Sequence, residues 1–204
     1  MTGLGTTLGG GLLDWMMRQM DDLRPGVLAQ ARGEVLEVGF GTGLNLPAYP
    51  AAVTRVVGLD PNPKDGLAAL ERRVRAAPFA VERRALRADG TLPFESGRFA
   101  TVVTTWTLCS IPDTRRALEE MRRVLAPGGR YLFIEHGRAP TERIARWQDR
   151  VNPVWCRLTG GCNMNRPIDD LVREGGFVLE GLQRFRHQGP GLLAHMYRGA
   201  ARPE

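Results

Sequence analysis

Three groups of residues in this sequence have the types and spacing to do chemistry. The first is Glu37-Val38-Gly39-Phe40-Gly41-Thr42-Gly43. Glycines so placed let the backbone turn tightly and let a ligand lie against its peptide groups. The spacing is GxGxG. A dinucleotide-binding loop carries GxGxxG, and Leu44 stands where its third glycine belongs. Glu37, two residues before the first glycine, repels a pyrophosphate but can hold the cationic, amine-bearing end of a ligand. The second group is Asp60, 17 residues past Gly43 and followed by Pro61. A carboxylate there can accept both hydroxyls of a ribose; its bland alternative is a solvated turn. The third comprises Thr105-Trp106-Thr107-Leu108-Cys109-Ser110 and Glu135-His136. An imidazole titrates near neutral pH, which suits His136 to act as a general base. The alternatives are core packing for Trp106 and a hydrogen-bonded structural role for His136.

The elements that position these residues alternate. An apolar strand at 35–38 runs into the glycine loop, and a second at 55–59 ends at Asp60. The pattern predicts a helix over 63–77 stopped by Pro78, a strand near 79–86 and a β-branched strand at 99–105. Asp113 suits an N-cap for a helix with Leu118, Met121, Val124 and Leu125 on one face, stopped by Pro127-Gly128-Gly129 before a fifth strand at 131–134. This rhythm implies right-handed βαβ units and a parallel sheet, whose strand carboxyl ends border the ligand crevice. A helix over 141–157, a loop at 159–166, a short helix and two close strands near 177–185 and 193–198 then give the sheet an antiparallel edge. The expected fold is α/β: a doubly wound, mostly parallel seven-stranded sheet with helices on both faces. Upstream, Leu12, Leu13, Met16, Met17, Met20 and Leu23 recur at helical spacing. They read as a packed helix, a lid over a greasy substrate or an interfacial helix over 12–24. Pro25 suits the first turn of a second short helix and Gly33 its end. Residues 1–10, rich in glycine, read as a tail. Residues 11–204 read as one domain, with N-terminal helices at 11–33, a ligand-binding half at 34–136 and a substrate-side half at 137–204.

Over residues 33–135 the chain resembles the class I S-adenosylmethionine-dependent methyltransferases. The likeness rests on the glycine loop, Asp60, the Leu92-Pro93-Phe94 turn and Pro127-Gly128-Gly129. It implies S-adenosylmethionine as cofactor and S-adenosylhomocysteine as product. The implied cofactor contacts are Glu37, Gly39, Phe40, Gly41, Thr42, Gly43 and Asn45 in and beside the loop. Asp60, Pro61 and Asn62 follow at the second strand tip, then Ala88, Asp89 and Gly90 toward the adenine, and Thr105 and Trp106 near the methyl group. Where family members often have Phe-Asp entering the fourth strand, this chain has Phe99-Ala100.

The segments Leu108-Cys109-Ser110, Glu135-His136, Trp147-Gln148, Asn152-Pro153-Val154-Trp155 and Gly161-Cys162-Asn163-Met164-Asn165-Arg166 are similar to one branch of that family, the thiol S-methyltransferases of animal membranes and their bacterial relatives. That resemblance implies a small lipophilic acceptor, with a thiol favoured. Its pocket would be lined by Trp106, Cys109, His136 and Cys162, with Asn163 and Arg166 orienting the acceptor or pinning the loop. Related branches methylate a phosphatidylethanolamine nitrogen or a quinone ring carbon, so oxygen, nitrogen and carbon acceptors remain alternatives. Methyl transfer from a sulfonium is a direct in-line displacement and needs no cysteine nucleophile.

Composition sets the outer bounds. The chain of 204 residues is 43% hydrophobic and 25% charged, long enough for a real core. Its net charge of +6 comes from 28 cations, all but Lys64 being arginine. They are dispersed as doublets such as Arg83-Arg84 and Arg122-Arg123, which marks solvated helix faces rather than a nucleic-acid groove. An Asn/Asp-Pro-Pro-aromatic motif is absent, which disfavours DNA or protein amide nitrogen as acceptor; the remaining rivals are a non-catalytic cofactor-binding or nucleic-acid-associated protein and a dehydrogenase. The 3 cysteines, Cys109, Cys156 and Cys162, form no CxxC pair, so spacing gives no metal site, and their odd number argues against a disulfide framework. No apolar run approaches the roughly 20 residues of a membrane span, and no signal-peptide pattern opens the chain. The expectation is a cytoplasmic protein with, at most, membrane-surface contact through 12–24.

Overall fold

The structure, a computed structural model, describes residues 17–61, 67–87, 90–188 and 191–204. Seven strands form one sheet: β1 (Gly33–Val38), β2 (Val53–Asp60), β3 (Ala80–Ala85), β4 (Phe99–Thr105), β5 (Leu125–His136), β6 (Phe177–Arg186) and β7 (His195–Pro203). Their order is β3-β2-β1-β4-β5-β7-β6. The pairs from β3 through β5 are parallel, and β7 lies antiparallel between β5 and β6. This is the doubly wound, mostly parallel sheet that the alternation predicts, with β6 as the outer strand of the antiparallel end. The order reverses between β1 and β4, and the crevice at that switch point is where such sheets bind ligands.

The strand residues divide between two cores, as side-chain alternation requires. Leu36, Val102, Tyr131 and Phe133 point to one face, where they meet Leu118, Met121 and Val124 of α3 (Thr114–Val124) and Ile168 and Val172 of α5 (Ile168–Glu174). Val35, Val103, Leu132 and Ile134 point to the other, with Val27 and Leu28 of α1 (Arg24–Leu28) and Leu70 of α2 (Ala68–Ala76). Each fully buried side chain of this size contributes roughly 1.5–3 kcal/mol. α4 (Glu142–Leu158) buries only Ala145 and Gln148 and is joined to the carboxyl end of β5 by residues 137–141.

Several boundaries differ from the periodicity. The helix opened by Pro25 ends at Leu28, and Gly33 begins β1 instead of closing it. Gly33 takes φ +62° there, and an added Cβ would stand 2.9 Å from Ala100 Cβ. Leu125 is the first residue of β5, which starts before Pro127-Gly128-Gly129 and not after it. The helix predicted over 63–77 is Ala68–Ala76, residues 62–66 lying outside the described set. Of the helix predicted over 12–24, residues 12–16 also lie outside it. Met17 and Arg18 are helical, and a turn at Gln19 and Met20 separates them from a 3₁₀ turn, Asp21–Leu23. Asp113 does cap α3, accepting the amide of Arg116 at 3.0 Å. Among the described residues no helix is long and apolar enough to cross a membrane.

Candidate active site

The glycine loop hangs from the tip of β1. Gly39 N and Phe40 N both donate to Leu59 O, at 2.8 and 3.0 Å, which ties the loop to the end of β2. Gly39, Gly41 and Gly43 all have positive φ, a conformation that costs other residues energy. A Cβ on Gly39 would stand 2.1 Å from Thr107 Oγ1, so the β4 end also presses on the loop. At Gly41 a Cβ would meet nothing nearer than Gly39 O at 4.0 Å, and a ligand can approach that peptide. Gly41 N donates to Asp60 Oδ2 at 3.0 Å, placing the Asp60 carboxylate at the mouth of the loop. Phe40 does something else: its ring is buried over Gly58, so only its backbone faces the loop.

Beneath the loop lies a buried polar network. Glu37 accepts from Asn45 Nδ2 at 2.9 Å through Oε1 and from Tyr49 Oη at 2.7 Å through Oε2. Asn45 also donates to Thr105 Oγ1 at 3.1 Å and accepts from Arg24 Nη1 at 2.7 Å. Arg24 is itself buried, bonded to Asp21 Oδ1 at 2.8 Å, with its guanidinium 4.9 Å from the centre of the Trp106 ring. Burial pushes the Glu37 carboxyl up to about 7, opposed by the Tyr49 and Asn45 hydrogen bonds and by Arg24. Glu37, Asn45 and Thr105, each read from the sequence as a cofactor contact, are joined to one another as one buried scaffold under the loop. Arg24 and Tyr49 belong to it without any signal in spacing or motif. Pro61 is exposed and Gly90 takes φ +73°; Asn62, Ala88 and Asp89 lie outside the described residues. Thr42, at the loop's far side, accepts from Arg73 Nη1 through its carbonyl at 2.8 Å.

The other end of the crevice, read from the sequence as the acceptor end, is assembled from three separate segments. Trp106, after β4, is the one non-glycine with positive φ among the described residues, at 51°. A left-handed backbone at an aromatic residue costs on the order of 1–2 kcal/mol. Its amide donates to Ile134 O at 2.9 Å, and its buried Nε1 has no hydrogen-bond partner among the described residues. Glu135, fully buried, accepts from Thr107 N at 2.8 Å and Leu108 N at 3.2 Å through Oε2, holding the 3₁₀ turn Leu108–Ser110. His136, also buried, sets Nε2 3.2 Å from Cys162 Sγ, while Nδ1 has no hydrogen-bond partner among the described residues. Trp155 Nε1 reaches the same sulfur at 3.5 Å. The neighbouring Cys109 thiol and His136 together hold the Cys162 sulfur toward its thiolate form, and Cys109 is pushed the opposite way. Asn163 is a pin: its amide and Nδ2 both donate to Cys109 O, at 2.8 and 3.1 Å, and its Oδ1 accepts from Asn152 at 2.9 Å. Arg166 does the same work, its guanidinium bonded to Leu108 O.

These features define the class. Residues 36–133 match the family of methyltransferase domains, and the chain has the fold of the class I S-adenosylmethionine-dependent methyltransferases. Its particular relatives narrow this. The chain is 36% identical over 154 residues to thiol S-methyltransferase TMT1A of Homo sapiens, an alignment covering 74% of this chain and 63% of that protein. It is 36% identical over 143 residues to human thiol S-methyltransferase TMT1B, covering 68% and 58%. The chain therefore spans less than two thirds of the length of either relative. A solved S-adenosylmethionine-dependent methyltransferase from Methanosarcina mazei superposes with a TM-score of 0.62 at 19% identity, covering 85% of this chain and 93% of that one. The site fits the family's cofactor. The approach at Gly41 is open, an acidic network underlies the loop, and Trp106 Nε1 is a buried donor still to be satisfied.

Proposed function

We propose that the protein transfers the methyl group of S-adenosylmethionine to the sulfur of a small lipophilic thiol by direct in-line displacement. The observation that carries this reading is the acceptor end itself. A buried histidine at the carboxyl end of β5 meets a cysteine sulfur at 3.2 Å, and the strained Trp106 directly follows the neighbouring strand β4. The thiol S-methyltransferase relatives support the same acceptor. The lipophilic character is supported by α4, which leaves Trp147, Val154 and Leu158 exposed immediately before loop 159–166.

The cofactor supplies a methyl group already activated on a sulfonium, so the chain's task is to align two reactants. The peptide groups of the glycine loop and the Asp60 carboxylate hold the nucleoside side. The Glu37 network places negative charge beneath the loop, where an ammonium group is held. Trp106 closes the crevice between the two reactants, its ring fixed by Arg24 and its backbone by Ile134. His136 is the side chain placed to draw the proton from the acceptor thiol, since the thiolate is the nucleophile. With the cofactor bound, the thiolate lone pair would form the new S–C bond as the sulfonium–methyl bond breaks, its electron pair passing to the cofactor's sulfur.

The test is acceptor profiling with methyl-labelled cofactor against matched lipophilic thiols, alcohols, amines and quinols. Label recovered in thioethers supports the reading. Label recovered only in oxygen, nitrogen or carbon products overturns the acceptor while leaving the transferase class intact.

A further inference from the structure

Cys109, His136 and Cys162 offer three donor atoms that all lie within 4.8 Å of one another. Two of the residues are buried and the third half-buried. They come from the turn after β4, the end of β5 and loop 159–166. We propose that they form a three-ligand zinc site whose open fourth position takes the sulfur of the acceptor thiol. The inference rests on the thiol reading above and deepens it.

Donor chemistry favours this ion. Two thiolates and an imidazole are the soft and borderline ligands that zinc prefers, and a site with three protein ligands plus one open position is the catalytic pattern. The distances agree as well. With Zn–S near 2.3 Å and Zn–N near 2.0–2.1 Å, tetrahedral donors sit about 3.5–3.8 Å apart. The Cys162 Sγ–His136 Nε2 pair stands at 3.2 Å and no two of the three donors are more than 4.8 Å apart, so movements of about an ångström bring all three to that spacing. A neutral imidazole keeps its proton on Nδ1, which has no hydrogen-bond partner among the described residues, and turns the Nε2 lone pair to the metal.

The scaffold is preorganised for it. Asn163, next to Cys162, holds the carbonyl of Cys109 with two hydrogen bonds, which fixes the two cysteine backbones to each other. Arg166 bonds the carbonyl of Leu108, and Glu135 caps the amides of the same turn. Trp155 Nε1 and Ser110 Oγ stand 3.5 and 3.4 Å from the Cys162 and Cys109 sulfurs, donors of the kind that tune thiolate ligands.

The chemistry balances. Two thiolates cancel the 2+ charge, and a coordinated acceptor thiol loses its proton to solvent outright. The resulting complex carries one net negative charge, which keeps the acceptor sulfur nucleophilic. A lone pair on that sulfur forms the bond to the methyl carbon as the sulfonium–methyl bond breaks, its electron pair passing to the cofactor's sulfur. The thioether product is neutral and a poor ligand, so it leaves. In this form of the site zinc takes over the acidifying role given to His136, which becomes a ligand.

The experiment uses the full chain, purified under reducing conditions, loaded with zinc sulfate and desalted. Elemental analysis is expected to find about one zinc per chain in the parent and almost none in Cys109→Ala, Cys162→Ser and His136→Ala. S-Adenosylhomocysteine binding serves as the control that each variant is folded. Cobalt(II) in place of zinc is expected to give thiolate charge-transfer absorption and tetrahedral d–d bands that change when an alkyl thiol is added without cofactor. A parent that retains no metal, variants that retain as much as the parent, or a Cys109–Cys162 disulfide with no uptake after reduction each overturn the proposal. A cobalt spectrum indifferent to thiol overturns the fourth-ligand role. If thiols are methylated by a metal-free chain, the zinc inference fails and the acceptor reading stands. If metal binds and responds to thiol but label enters other acceptors, the acceptor reading fails and the zinc site stands.

Discussion

At the cofactor end of the crevice a single turn of glycine-rich backbone leaves the approach at Gly41 open, and the side chains of Glu37, Asn45 and Tyr49 are spent on one another below it. At the acceptor end the backbone is pinned and the side chains face one another: His136 against Cys162, with Cys109 alongside. The first arrangement recognises a ligand that never changes and can be built from one turn of chain. The second must suit a particular acceptor, and it draws on three segments that can vary separately. The difference teaches that damage at the two ends should read out in different constants, cofactor affinity at one and turnover at the other.

The sharpest way to break that contrast is Gly39→Ala. The new Cβ would stand 2.1 Å from Thr107 Oγ1 at φ +83°, so the loop and the β4 end must both move. The variant is expected to lose S-adenosylhomocysteine binding in calorimetry and about 2–4 kcal/mol of stability in denaturant unfolding. Gly41→Ala, with nothing nearer than 4.0 Å, should lose much less stability. Next in size, His136→Ala should lower kcat about 100-fold or more while S-adenosylhomocysteine affinity stays at the parent level; a parallel fall in both would join the two ends. Asp60→Asn should do the reverse, weakening cofactor affinity about ten-fold, the order of one charge-assisted hydrogen bond, with the acceptor KM unchanged.

The smallest effect is a pH dependence of which the buried Glu135, also raised to about 7, carries one share and Glu37 the other. Its folded pKa of about 7 lies above the ordinary 4.5, so between those values the unfolded chain binds fewer protons than the folded one. Stability from this group therefore falls as pH rises from 4.5 to 7 and levels off above that. Glu37→Gln should remove its own share of this slope and leave that of Glu135, which thermal unfolding at pH 5 and pH 8 measures. Cofactor affinity runs the other way: in the parent it should strengthen as pH rises through 7 and the carboxylate ionises, while the Gln variant stays flat.

The cofactor end was legible because its signals are local. The GxGxG spacing, Glu37 two residues ahead and Asp60 at a strand tip each show within a few positions, and β-branched runs marked β1, β2 and β4. Helix ends were harder, because tertiary pairing decides them: β5 starts at Leu125, directly after α3, where Pro127-Gly128-Gly129 suggested a break. Phe40 was misleading for a related reason. Its position in the loop says ligand, but the space above Gly58 takes the ring inward. Arg24 carried no signal at all, since a buried cation looks like any surface arginine until Asn45 and Asp21 appear beside it. The sulfur–imidazole cluster was invisible to spacing because its members lie more than 25 residues apart and meet only through the sheet's edge.

Gln148 of α4 shows what such assembly means for motion. Its amide, wholly buried, accepts from Ala139 N at 2.8 Å and donates toward the carbonyls of Gly137, Met164 and Leu192 at 2.8–3.0 Å. One side chain on a helix thus clasps the segment after β5, the acceptor loop and the stretch before β7. These segments are therefore coupled: none can swing out while that clasp holds, and withdrawal of α4 frees all three together. The acceptor pocket would then open as one cooperative unit, with the amide of Ala139 exchanging its hydrogen at the rate set by the helix rather than by its own loop.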